Sequence, residues 1–547
     1  MAEPGRAVIR GGLVLTPELK GELADIIVEH GAIREIIAPG APVDARVINA
    51  ADRAIMPGLV NAHVHGHGTL AKGRVEDRWP LELFLNALPG LGANRTTEDK
   101  YLNGLVGAVE MIRKGCTACF DLFFEFPKPS REGLFALGQA YSDSGVRAVI
   151  APMVADRTFY QAYPELLATL PEPLRTEALA LQMAPHETTT ESAADAFRAW
   201  PFDRDRIRPG LAPTIPLHCS DDFLIRCRDL CSEFGLVLQT HLAESRAQAV
   251  IGLQRYGKTL TAHIADLGLL GPHFSAAHAI WLDGDDMRRL ADAGASIVHA
   301  PASNMRFGSG LAQIRMLLDH GVNVGLATDG ANSSDSLNMF EMMRVGTYIS
   351  RIVTPDFERW LGTAETIRMA TEGSAIAMGF AGRLGRIAPG YQADLVFLDL
   401  SHINYVPLGD LARQILFTEN GAAVDSVMIA GRMVMKRGRI TTLDEAKLRR
   451  DATAAADRLF AQNAPLRDLS RRLQPLVGQF CKGLACEPYH IHRLASAPGI
   501  GDQPNPAATI RPTKTPRSGL LQSAATERAF ASMPDENPDD GHGRDLG

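Results

Sequence analysis

The sequence predicts an α/β protein: a (β/α)8 TIM-like barrel with a small β-sandwich domain built from its N- and C-terminal segments. Three observations carry this. Short apolar strand patterns starting near Gly58, Thr117, Val146, Ile207, Leu236, Ser275, Ala295 and Val322 alternate with amphipathic helical patterns, as in a parallel barrel. Runs rich in β-forming residues, broken by Gly and Pro turns, flank that middle over roughly residues 6–57 and again near 385–440. Groups able to bind a metal or carry a proton fall where strands end and loops begin, the face on which such a barrel gathers distant parts of the chain.

In chain order, the first segment carries the runs 12–15, 25–29 and 32–37, and the pattern returns at 393–399 and 427–434. Residues 1–57 and 385–445 are therefore expected to form the composite sandwich around a catalytic barrel spanning 58–384. Within the barrel, Leu102, Leu105, Val106, Val109 and Ile112 recur at helical spacing, with Thr96 placed to cap the helix and Gly115 to end it. Residues 446–494 read as a helical extension. Composition changes from about Gln474, and the scattered prolines of 495–547 read as a disordered tail. His490 and His492, with no apolar strand before them and no partners after them, read as an accident of spelling.

Composition bounds the function. The chain has 547 residues, 46% hydrophobic and 22% charged, in the range of a soluble globular enzyme. A net charge of −7 gives no basic footprint for nucleic acid. No apolar run reaches the roughly 18 residues that span a membrane. The start leads into a strand pattern without an apolar signal core, so a cytoplasmic enzyme is expected. Seven cysteines, odd in number and thinly spread, fit reduced thiols. Cys116 and Cys119 sit in an apolar run that reads as a buried strand, and no second Cys-x-x-Cys follows. Cys227 and Cys231 share a helical face with Phe223, Leu230 and Phe234, which reads as core.

The chemistry begins in Pro57-Gly58-Leu59-Val60-Asn61-Ala62-His63-Val64-His65. Residues i and i+2 of a strand point to one side, so His63 and His65 can converge on one ion. Zinc needs further ligands, and they appear at later strand ends. The strand 236–241 ends in His241, with Glu244 three residues on; 275–278 ends in His278; 322–329 ends in Asp329, followed by Gly330 for a sharp turn.

Together with Pro301-Ala302-Ser303-Asn304, these motifs resemble the amidohydrolase superfamily over about residues 7–440, and within it the cytosine deaminase-like, nucleoside-deaminating and triazine-hydrolysing branch. The resemblance implies that His63, His65, His241 and Asp329 hold one divalent ion, zinc first and iron as the alternative. It also implies that Asp329 takes the proton of the metal-bound water, Glu244 shuttles a proton to the ring nitrogen or leaving group, and His278 orients the hydroxide. No lysine stands near Ala212-Pro213-Thr214 to bridge a second ion, which favours a mononuclear site.

The expected reaction is hydroxide attack on an sp2 carbon of a nitrogen heterocycle with loss of ammonia. The alternatives are hydrolysis of a carbon–halogen, alkylamine, thioether or amide/urea bond on a triazine-like compound, and, in another class, a non-catalytic metal-binding relative. Trp79, His67, Thr214, His218 and Asn304 are the expected substrate contacts. Nucleoside-deaminating relatives usually carry Pro-His at the end of strand four, where this chain has Pro213-Thr214, with His218 as a partial substitute. That departure weakens the case for an adenosine-type substrate. The expected partners are a small-molecule substrate and a second copy in a homodimer, with neither nucleic acid nor membrane.

Overall fold

Eight parallel strands form the barrel, and the computed structural model, which describes residues 5–494, pairs each with its neighbour in chain order. They are β1 (Leu59–Val64), β2 (Cys116–Phe124), β3 (Arg147–Val154), β4 (Ile207–Pro213), β5 (Val237–Leu242), β6 (Phe274–His278), β7 (Ser296–His299) and β8 (Asn323–Leu326). The seam between β8 and β1 is closed just beyond the end of β8. Asn61 Nδ2 donates to Thr328 Oγ1 (2.7 Å), the Thr328 N–H donates to Asn61 Oδ1 (3.0 Å), and the Asp329 N–H donates to the His63 carbonyl (3.0 Å). The seam bonds therefore also fix two groups of the site.

Both faces of these strands are buried, so their sequences are apolar throughout. In β2 the alternation is plain: Ala118, Phe120 and Leu122 fill the barrel interior, while Cys119 and Phe123 join the core under the surrounding helices. Cys116 and Cys119 are thus core thiols, and burial pushes Cys116 up to about 12. Cys227 is likewise buried, and Cys231 half-buried, in the helix Asp221–Phe234.

Helix α1 (Leu81–Gly92) follows the loop after β1, and α2 (Thr97–Arg113) leads into β2. The expected cap is present: Thr96 Oγ1 accepts from the Asp99 N–H (3.2 Å) while Asp99 Oδ2 accepts from the Thr96 N–H (2.7 Å). Gly115, at φ +71°, turns the chain from helix to strand.

The β-rich ends join in one mixed nine-stranded sheet. Residues Arg53–Pro57 form its junction, parallel to Ala7–Leu15 and antiparallel to Leu395–Asp399. Ile9, Val28, Ile55, Leu395, Phe397 and Met428 share one core across the two ends of the chain. Sheet and barrel are tied by a buried ion pair, Arg147 Nε to Asp394 Oδ2 at 3.1 Å.

Helices α3 (Glu445–Gln462) and α4 (Ala464–Cys486) complete the described chain. Helix α4 runs straight through the change in composition at Gln474, because Leu469, Leu473, Val477, Cys481 and Leu484 keep one buried face. It packs on α1 through Asn86, whose Nδ2 donates to the Ser470 carbonyl at 3.0 Å. His490 Nε2 lies 2.9 Å from Asp283 Oδ2. Among the described residues no helix is long and apolar enough to cross a membrane. The tail reading at 495–547 lies outside the described residues.

Candidate active site

The barrel brings His63, His65, His241, Glu244, His278 and Asp329 to the C-terminal ends of β1, β5, β6 and β8. The ligand atoms of His63, His65 and His241 lie within 4.8 Å of one another, as do those of His63, His278 and Asp329. His65 Nε2 stands 3.1 Å from His241 Nε2 and 3.3 Å from Asp329 Oδ1, and His63 Nε2 stands 3.7 Å from that same oxygen.

Each imidazole is oriented from behind. His63 Nδ1 lies 2.5 Å from Gln239 Oε1, His65 Nδ1 2.9 Å from the Leu122 carbonyl, and His241 Nδ1 2.6 Å from the Thr214 carbonyl. All three partners only accept, so Nδ1 carries the proton and Nε2 is left as a bare lone pair. The Gln239 amide is itself fixed, its Nε2 donating to the Ala62 carbonyl (3.1 Å) and to Ser275 Oγ (2.9 Å). Burial lowers His63 to about 3 and takes His241 well below the usual histidine range. The Asp329 carboxyl is held below its ordinary range: burial acts upward, and the neighbouring His65, His63, His278 and His241 outweigh it. Neutral imidazoles with converging lone pairs beside a carboxylate are the donor set of a divalent cation, and the orienting oxygens behind them complete it.

Glu244 lies beside this cluster. Burial, reinforced by the charges of Asp329 and Glu82, raises the Glu244 carboxyl well above its ordinary range. Its Oε2 is 3.6 Å from His278 Nε2, and its backbone N–H donates to Gln248 Oε1 (3.0 Å). His278 Nδ1 lies 2.8 Å from Asn304 Oδ1, which directs Nε2 toward Glu244. Four of the residues around these groups sit in left-handed backbone: Ala243 (φ +47°), His278 (+66°), Ala279 (+48°) and Asp329 (+67°). Such strain persists only where surrounding contacts enforce it, and it clusters at sites. The sharp turn was expected of Gly330; the left-handed residue is Asp329. Gly330 is needed for close approach, since a Cβ there would lie 3.2 Å from the His65 Cβ.

A cavity of about 220 Å3 opens on this cluster. His67, Thr214 and His218 line it, as expected of substrate contacts. His67 Nδ1 accepts from the Phe124 N–H at 3.2 Å. His218 Nε2 is buried with no hydrogen-bond partner, and burial lowers the ring to about 3. Two expected contacts fall elsewhere. Trp79 packs half-buried against the core and does not line the cavity. Asn304 is also outside its lining and touches His278 instead. Gln239 and Glu82 were not anticipated. Gln239 is two residues before His241 on one strand, so the same-face rule that paired His63 with His65 also pointed to it. Glu82 accepts from Ser245 Oγ (2.5 Å), next to the acid, and nothing local in its sequence marks that contact.

The amidohydrolase family model matches residues 54–434. A 5-methylthioadenosine/S-adenosylhomocysteine deaminase of Syntrophomonas wolfei is 30% identical over 80% of this chain and 94% of its own length. An adenosine deaminase from Xanthomonas campestris, solved with bound zinc, is 28% identical with a TM-score of 0.73, covering 84% of this chain and 99% of that one. The atrazine chlorohydrolase of Arthrobacter aurescens TC1, complexed with zinc, shares the fold at a TM-score of 0.74 and 23% identity, over 82% of this chain and 100% of that one.

Proposed function

Because the chain belongs to the amidohydrolase family, we propose that its site hydrolyses the exocyclic amine of a nitrogen heterocycle and releases ammonia. One observation carries the reading. Glu244 and Asp329 line one cavity, burial raising the first carboxyl well above its ordinary range and the surrounding histidines lowering the second, and two carboxyls pushed apart in this way suit an acid and a base.

The donor set fits one divalent ion, zinc, held by His63, His65, His241 and Asp329. Bound there, the ion supplies the Lewis acidity that lets water ionise near neutral pH. Asp329 takes the proton of the attacking water. Glu244 gives its proton to the ring nitrogen beside the carbon under attack, the water proton held by Asp329 passes to the amine so that the carbon–nitrogen bond breaks and ammonia leaves, and the proton left on the new hydroxyl returns to Glu244 as the carbonyl forms. His278, held by Asn304, accepts a hydrogen bond from the water and aims it at the ring. Asn304 is therefore a positioning residue. His218 takes the place of the histidine missing after Pro213, presenting a neutral ring to the heterocycle from the same loop.

The test is a screen of zinc-loaded protein against amino-substituted heterocycles, triazines and arylureas, with ammonia, halide and alkylamine measured separately. Ammonia from amino-substituted rings is expected. Halide or alkylamine from some compounds and ammonia from none would replace deamination with the other hydrolysis on the same scaffold.

A further inference from the structure

Beyond the cluster of ligands the cavity wall is apolar. Leu81, Phe84 and Leu88 of α1, Phe124 at the end of β2, Phe159, and Leu466 of α4 line it. The polar groups on that outer wall are already engaged. The Tyr160 hydroxyl donates to Asn86 Oδ1 (2.6 Å), and Asn86 Nδ2 donates to the Ser470 carbonyl (3.0 Å). Arg95 donates to the carbonyls of His67 (2.9 Å) and Phe124 (2.7 Å). Thr158 Oγ1 caps its own helix, accepting from the Gln161 N–H at 3.3 Å.

The carboxyls that line the cavity are Glu244 and Asp329, both at the catalytic end. Arg157 also lines it, and among the described residues its guanidinium has no hydrogen-bond or ion-pair partner, but a guanidinium only donates. A ribose brings hydroxyl protons that need acceptors, the service a carboxylate performs in dinucleotide-binding folds. His218 Nε2, a buried ring nitrogen of the lining without a hydrogen-bond partner, is taken by the heterocycle in the proposed reaction. On the rest of this wall those protons would be desolvated without a carboxylate to accept them, which is costly, whereas alkyl or aryl surface would gain from burial.

Resting on the deaminase reading, we infer that the heterocycle enters carrying a bulky apolar substituent against α1 and α4, and that the site rejects ribosides by leaving their hydroxyls unpaired. This separates the chain from the nucleoside deaminases to which it is similar.

The experiment uses one amino-heterocycle bearing hydrogen, methyl, butyl, benzyl or ribosyl at the same ring nitrogen. kcat/KM for ammonia release is expected to rise about fourfold per added methylene up to butyl, with benzyl at least about tenfold above ribosyl. Ribosyl equal to or above benzyl overturns the inference and leaves deamination standing. If no compound releases ammonia, the deaminase reading falls, and calorimetric binding of the same series to zinc-loaded Glu244→Gln decides the inference: benzyl tighter than ribosyl sustains it, the reverse order overturns it. Leu88 is only half-buried, so Leu88→Asn should fold, with its melting midpoint as the check. It is expected to shrink the benzyl-over-ribosyl ratio by about tenfold, and an unchanged ratio in the folded variant contradicts the assigned wall.

Discussion

His65 Nε2 and His241 Nε2 face each other at 3.1 Å, and neither has a proton to share, because each ring spends its proton on a backbone carbonyl behind it. Two lone pairs at that distance repel. A cation between them removes the conflict. The chain thus builds the rear contacts of the site so that its front is complete only with an ion in place.

Gln239 is the rear contact of His63, and removing an orienting group of this kind costs about 10- to 100-fold in metal affinity. Gln239→Leu should show that loss in competition with a chelator, at unchanged circular dichroism. Gln239→Glu, which still accepts from Nδ1, should recover most of it. Equal affinity in all three proteins would place the orientation of His63 elsewhere.

The proposed mechanism needs Glu244 protonated. Its carboxyl is raised well above the ordinary range by burial first and by Asp329 and Glu82 next, so its acid form is present below the raised value and lost as pH rises through it. Ammonia release should therefore fall on the alkaline side in the parent protein. Glu244→Gln should lower the rate by about 10²- to 10⁴-fold and lose that alkaline limb. A Gln variant with the parent rate and profile would remove Glu244 from the mechanism.

Glu82 is a second buried carboxyl, raised by burial although the bond from Ser245 opposes it. A raised carboxyl holds more protons in the folded than in the unfolded chain. Its stabilising effect is full below the ordinary carboxyl value and is lost as pH climbs toward the folded one, at up to about 1.4 kcal/mol per pH unit. Denaturant titrations from acid to neutral pH should show the parent losing stability relative to Glu82→Gln. Parallel curves would show Glu82 ionised in the fold.

Asp394 pairs with Arg147 where the mixed sheet meets the barrel, and both side chains are at most 4% exposed. Asp394→Ala leaves an uncompensated guanidinium in the interior and should cost about 3–5 kcal/mol, read as a fall in unfolding free energy. A cost below about 1 kcal/mol would mean that water or another acceptor takes over.

The barrel and the chemistry at its strand ends were legible because both follow local rules. Apolar runs between helical repeats place the eight strands, and a strand end in a parallel barrel is where a ligand must stand. That geometry puts His63, His65, His241 and Asp329 at strand ends, and the resemblance to amidohydrolases grouped them as one ligand set. What stayed hidden depends on contacts between distant segments. Trp79 reads as a substrate contact, but its loop turns it against the core. Asn304 reads as a substrate contact until His278 is seen in front of it. Glu82 lies in an ordinary helical turn, and only the fold brings it to Ser245. The inward face of α4 keeps its helical spacing past Gln474, a periodicity masked by the change in composition.

The most direct test is the zinc content of the purified protein after exhaustive dialysis, measured per chain for the parent and for His65→Asn and His241→Asn. One site with four protein ligands predicts about one equivalent in the parent and a large loss in either variant at unchanged circular dichroism. A parent protein that retains less than about one-third of an equivalent, or variants that retain as much as the parent, would contradict it.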